Sequence, residues 1–268
     1  MKRIIGAVIL IIIFALPAFF GPAWVLFFLA LIVLPLCQYE LFRVMLGKQG
    51  RILGWIAFAG AFPFLTSIYF GNLPLSLYIL SITTLAVILT GLYLFEKGCA
   101  SAKEVGLSIF SMIYPLVLTS FWILIRNGID GRFWMIFGLI STFAADVGAY
   151  YVGKNLGRHA LAKRLSPKKT IEGLAGGVVS SMFFGGSFFL FYEHFSPLEG
   201  TYPVWIIIPL AGLICILGLM GDLTASMFKR EYRIKDMGNL IPGHGGMLDR
   251  MDGIIPVGVV LYLIIQVL

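Results

Sequence analysis

Charge is scarce in this chain of 268 residues: Asp, Glu, Lys and Arg make up 12% of it, against 59% hydrophobic residues and a mean hydropathy of +0.96. A water-soluble globule could not cover so much apolar surface, so lipid is the solvent for most of the chain. Cysteine is sparse too. Cys37, Cys99 and Cys215 lie scattered in or beside apolar runs with no C-x-x-C pair, which leaves them as small buried packing residues. The alternation expected of barrel strands is missing. Unbroken runs such as IIGAVILIIIFALPAFF and PLSLYILSITTLAVILTGLYLF exclude it, and because only helices or closed barrels span a bilayer, the fold is all-α. No segment matches G-x-x-x-x-G-K-[ST], so there is no Walker P-loop, and no internal repeat is evident, which counts against the repeat-built transporters. The net charge of +7 does not point to nucleic acid. The basic residues flank apolar spans, where orientation bias and anionic headgroups account for them.

At about 20 residues per crossing, nine transmembrane helices are expected, over roughly 4–20, 22–39, 52–71, 74–95, 105–125, 133–153, 173–195, 203–226 and 253–268. Residues 1–20 also resemble a signal peptide, with Lys2 and Arg3 ahead of an apolar core; the short Gly21-Pro22 turn into a second apolar run favours a retained helix. With the N-terminus inside, eighteen of the twenty Lys and Arg residues fall in inner segments, Arg126 and Arg132 being the exceptions. This asymmetry predicts a multi-pass protein of the cell inner (cytoplasmic) membrane whose charged loops, about 154–172 and 227–252, face the cytoplasm. Residues 1–131 read as a scaffold of five helices serving lipid contact or a subunit interface, with a homodimer left open, and 132–268 as the catalytic region.

Two acids stand inside apolar spans: Asp146 in STFAADVGAYYVGK and Asp222 in ILGLMGDLTASMFKR. An acid at mid-helix costs roughly 2.5–3.5 kcal/mol on insertion scales, so each needs compensation from a helix-to-helix contact or from an ion. On a helix Asp222, Ser226 and Lys229 share one face, a stripe from a buried acid to a basic rim. A basic rim over acids suits an anion held through a cation, and Mg²⁺ often bridges one or two carboxylates to substrate phosphates.

The segment 226–253, SMFKREYRIKDMGNLIPGHGGMLDRMDG, concentrates five basic residues, four acids and His244. The glycines around His244 would let backbone N–H groups approach a phosphate, although a plain loop explains a glycine cluster as well. Asp249 and Asp252 add acids next to Arg250, either as ligands or as a charge cluster at a helix N-terminus; Asp252 is expected mainly to fix Arg250 or the loop. The loop GKNLGRHALAKRLSPKKTIEG is a second basic stretch, which by itself could dock on anionic lipid. His159 and His194 match no ligand pattern and read as surface residues.

Ser226-Met227-Phe228-Lys229-Arg230, then Lys235-Asp236, Leu240-Ile241-Pro242-Gly243-His244-Gly245-Gly246 and Leu248-Asp249-Arg250-Met251-Asp252 resemble the signature of the phosphatidate cytidylyltransferase (CDP-diacylglycerol synthase) family. Asp146, Ala149-Tyr150, Gly153-Lys154, Gly157, Ser166-Pro167-Lys168-Lys169-Thr170 and Glu172-Gly173 resemble it too, so the likeness covers roughly 142–253. It implies condensation of CTP with phosphatidate to give CDP-diacylglycerol and pyrophosphate, with Mg²⁺ and an open question of a second cation. On that reading Asp222 and Asp249 hold metal, and Asp146 is a third ligand or orients one. Lys169 joins them in catalysis, while Lys168, Thr170, Ser226, Lys229, Arg230, Lys235, Asp236, His244, Gly245, Gly246 and Arg250 bind triphosphate or lipid phosphate. The same site physics would serve a CTP-dependent lipid kinase or a cytidylyltransferase for another lipid, and buried acids also mark the ion paths of transporters.

Overall fold

The computed structural model describes residues 21–239 and 245–268. The expected helix over 4–20 and His244 lie outside those residues. Among them, seven helical stretches are long and apolar enough to cross a membrane, so the all-α polytopic architecture is as expected. These correspond to seven of the nine expected spans. The stretch expected as a ninth span, 253–268, forms an 11-residue helix over Ile255–Ile265; at 1.5 Å per residue that is about 16 Å, roughly half of a hydrocarbon core. Contacts divide the chain into two compact units, Met1–Leu124 with Tyr232–Met251, and Ile125–Glu231 with Asp252–Leu268. Tyr232–Met251, which lies within the signature segment, thus groups with the N-terminal helices.

In the first unit α1 (Ala23–Met45) is followed by α2 (Arg51–Ala59) and α3 (Ala61–Tyr69), which together make one span. Next comes α4 (Leu73–Glu96), capped by the Asn72 side chain, which accepts the Leu75 N–H at 3.1 Å. Its buried residues are Ser76, Thr83, Val87 and Gly91, one stripe of small side chains, while Leu77, Ile82, Leu85, Leu89 and Leu92 point outward. Small inside and large outside inverts the soluble pattern and suits a helix bathed in lipid. α5 (Ala102–Met112) starts on a capping box between Ser101 and Glu104. Pro115 has no N–H for the preceding turn, and the helix widens into a π-helical turn over Ile113–Val117 before α6 (Leu118–Asn127).

The second unit is built on α7 (Gly131–Leu156), α8 (Ile171–Phe195) and α9 (Val204–Glu231). Gly173, Gly177, Ser181 and Gly185 recur every fourth residue along α8 and bring it against α7; a Cβ on Gly177 would come within 2.9 Å of the Ala145 carbonyl. The Ser181 hydroxyl sits in the same seam, 3.0 Å from the Ser141 carbonyl and 2.5 Å from that of Ala211 on α9. Between α7 and α8 the chain makes an antiparallel hairpin of β1 (Ala160–Ala162) and β2 (Ser166–Thr170), pairing Ala160 with Thr170 and Ala162 with Ser166. Its base is fixed by Glu172, which accepts the N–H groups of Arg158 and His159 and meets His159 Nδ1 at 2.5 Å. At the opposite end of α7, Asp130 accepts from the Glu199 and Gly200 N–H groups and the Tyr202 hydroxyl. Burial pushes the Tyr202 phenol above its ordinary range. The chain continues through α10 (Leu248–Met251, first unit) to α11 (Ile255–Ile265, second unit), which packs on α9.

His159 and His194 are exposed, as expected of surface residues. Cys37 and Cys215 are buried, whereas Cys99 is only half-buried, because it closes the turn after α4 and its thiol reaches the Lys97 carbonyl at 3.5 Å.

Candidate active site

Two polar centres emerge, one within each unit. In the second unit β2 delivers Lys169, and its rigidity has a local cause: the next residue, Thr170, caps α8 by accepting the Gly173 N–H at 3.1 Å. The Lys169 ammonium forms an ion pair with Asp222 Oδ2 of α9. Asp146 and Asp252 also act on that ammonium, their charge favouring it, while Lys229 opposes it; burial dominates and lowers the Lys169 pKa below the ordinary lysine value. Asp222, Ser226 and Lys229 lie half-buried on one uninterrupted helix, as the i, i+4, i+7 spacing requires. Neither span acid is sealed in. Asp146 is exposed, because its neighbours Ala145 and Ala149 rather than Asp146 itself turn into the α7–α8 seam, and the Asp222 side chain retains 36% exposure.

Other candidates take supporting positions. Strand alternation turns Lys168 out to solvent on the face opposite Lys169. Arg230 is exposed and donates from Nε to the Leu165 carbonyl at 3.2 Å, bracing the hairpin. Asp252 is 7% exposed and accepts the Gly253 N–H at Oδ1. It enters the second unit because α9 has a glycine opposite: a Cβ on Gly221 would run into the Asp252 carbonyl. Sequence reasoning gave Asp252 mainly a part in fixing Arg250 or the loop, and the glycine seven residues before Phe228 carried no signal of this approach.

In the first unit Asp249 Oδ2 accepts two backbone N–H groups, from Met237 at 2.8 Å and Gly246 at 3.0 Å. A second carboxylate does the same for the following residues. Glu40 of α1 accepts from Met247 at Oε1 (3.0 Å) and from Leu248 at Oε2 (2.9 Å). The backbone donors from 246 to 248 therefore turn to protein carboxylates. Gly245 adopts a left-handed φ of +85° with its Cα facing Asp236, which is exposed like Lys235 and Arg250. Glu40 was missed from sequence. Its signal was present in VLPLCQYELFRV, an acid inside an apolar run, but Arg43 three residues on made it read as the end of a span.

Among the described residues no three His, Cys, Asp or Glu side chains stand close enough to hold a metal between them. Asp222 nevertheless already faces a cation, the Lys169 ammonium. A Mg²⁺ site of one or two carboxylates completed by substrate phosphates fits that donor set.

Fold and site together define a polytopic membrane protein in which lysine and carboxylate groups meet at the ends of apolar helices. A model of the Cytidylyltransferase family matches residues 1–268, and the chain belongs to that family. It is 35% identical over 189 residues to a phosphatidate cytidylyltransferase of Bacillus subtilis (strain 168), covering 69% of this chain and 68% of the relative. It is 28% identical over 250 residues to a phosphatidate cytidylyltransferase of Staphylococcus aureus (strain COL), covering 93% of each.

Proposed function

We propose that this protein condenses CTP with phosphatidate, giving CDP-diacylglycerol and pyrophosphate, in the inner membrane with its site open to the cytoplasm. The pairing of Lys169 with Asp222, with Asp146, Asp252 and Lys229 acting on the same ammonium, is the observation that carries the reading. An oxygen of the lipid phosphate bonds to the α-phosphorus of CTP. The bond from that phosphorus to the oxygen bridging to the β-phosphorus breaks, and pyrophosphate leaves with the electron pair. The nucleophile is already an anion and needs little help from an acid or base. The obstacle is the meeting of polyanions, which positive groups must neutralise and align.

Lys169 and Lys229 supply two ammonium groups near one another, and their mutual repulsion favours an anion there. On binding, Lys169 exchanges the Asp222 carboxylate for a phosphate oxygen. Asp222, with Asp146 acting on the same ammonium, would hold Mg²⁺, which when bound would neutralise phosphate oxygens and polarise the reacting phosphorus. The sequence signature alone assigns Asp249 the same ligand chemistry and gives Lys235, His244 and Arg250 to phosphate binding. The basic ends of the helices support a cytoplasmic orientation.

Labelled CTP and phosphatidate in mixed micelles with Mg²⁺ test the reading. CDP-lipid and pyrophosphate in equal amounts are expected. Release of CDP with a phosphorylated lipid would instead identify a CTP-dependent lipid kinase, and solute uptake by proteoliposomes with no CTP turnover would identify a transporter.

A further inference from the structure

Glu40 is 3% exposed inside an apolar helix, a placement that is costly unless both oxygens are satisfied. They are, by one N–H each, from residues 207 and 208 positions further along the chain. The loop is shaped to admit the carboxylate. A Cβ on Gly246 would overlap Glu40 Oε2 and the Gly238 nitrogen, and a Cβ on Gly238 would overlap Glu40 Oε1. Asp249 closes the same turn from within through Met237 and Gly246. Two carboxylates thus take four backbone donors of one segment, from Met237, Gly246, Met247 and Leu248, and α10, which carries Asp249 and Arg250, packs on α1. Hydrogen bonds to a charged acceptor are the stronger kind, and losing one leaves a buried donor unsatisfied.

We infer that Glu40 is a positioning residue for nucleotidyl transfer: its carboxylate fixes the backbone of Met247 and Leu248 and so the direction in which Asp249 and Arg250 are presented. The inference rests on the proposed reaction for its kinetic part only. The contact itself is independent of what the substrates are. A group that orients others without touching substrate acts on the productive geometry, so its loss lowers kcat more than it raises KM.

Glu40→Gln keeps the shape of the side chain but replaces one acceptor oxygen with an NH₂ group facing an N–H. In the full-length protein, amide hydrogen exchange at Met247 and Leu248 should accelerate by about tenfold or more, the factor that a lost charge-assisted bond corresponds to. Turnover of CTP and phosphatidate should show kcat reduced by about tenfold or more with the KM for CTP within about threefold. Glu40→Asp should recover part of both. Gly246→Ala, which displaces the carboxylate from the loop side, should produce the same pair of effects, and it decides the matter if Glu40→Gln does not fold. Accelerated exchange with an unchanged kcat overturns the positioning role. Unchanged exchange overturns the contact. If the wild-type protein itself makes no CDP-lipid, the substrate reading fails, and the exchange measurement still decides whether Glu40 holds the turn.

Discussion

In the first unit Glu40 and Asp249 accept backbone N–H groups, whereas in the second Asp222 meets the ammonium at the tip of a lysine side chain. A backbone donor cannot leave its acceptor unless the turn refolds. A lysine can leave by rotating a few side-chain bonds, and something else of positive charge can take its place. Carboxylates of the first kind hold a shape, and those of the second kind can be traded during a reaction. The proportions of rigidity and exchangeability therefore differ between the units even though the residue type is the same.

The sharpest way to break this contrast is at the exchangeable pair. Asp222→Asn and Lys169→Met should each reduce turnover by roughly 10²–10³-fold, as removal of a group that stabilises developing charge does. Both proteins should remain inserted and monodisperse by size-exclusion chromatography; activity close to wild type in either would dissolve the pair's role. Asp249→Asn probes the shape-holding kind. It should nearly eliminate turnover and at the same time speed amide exchange at Met237 and Gly246, a signature that Asp222→Asn should lack. Exchange rates that stay at wild-type values would put Asp249 in the same class as Asp222.

A smaller effect is expected at Gly221. Gly221→Ala forces a methyl group against the Asp252 carbonyl and should cost about 1–3 kcal/mol of stability, the usual penalty for overpacking, seen as a lower midpoint in thermal unfolding with detergent held constant. No change in midpoint would mean that α9 and the 252–253 turn part easily. The mildest test is pH. Burial disfavours the charged form of Lys169, so its ammonium releases the proton at a pH below the ordinary lysine value of about 10.4. If turnover needs the charged form, kcat/KM should fall along an alkaline limb that begins below that value. Lys169→Arg, always charged, should move the limb upward, and an identical limb in both proteins would assign it to another group.

The membrane-spanning helices were legible because hydropathy over some 20 residues is a strong and local signal. The second unit's polar centre was largely legible too. Asp222, Ser226 and Lys229 sit on one helix, where spacing alone sets the face, and an acid in an apolar span announces itself. Lys169 was set apart from Lys168 only by the family resemblance, since the two-stranded hairpin that turns them to opposite faces has only a few residues and carries little periodicity. The Glu40 contact was illegible for a different reason. Its partners are main-chain N–H groups, which every residue has, and nothing in their side chains marks them. The association of 232–251 with the N-terminal helices follows from that contact and was hidden with it. The short α11 was overestimated because its composition is as apolar as that of a full span, and hydropathy does not report where a helix stops.

The separation of Glu40 from its donors also bears on how the chain is made. A helix carrying this acid enters the membrane early, yet Met247 and Leu248 are translated 207 and 208 residues later. At about 5–20 residues per second that is a wait of roughly 10–40 s. Throughout it the nascent protein holds an acid in an apolar helix without the groups that will eventually receive it. Completion of the first unit is thereby tied to completion of synthesis, and a chain released short of residue 247 has no means of closing it.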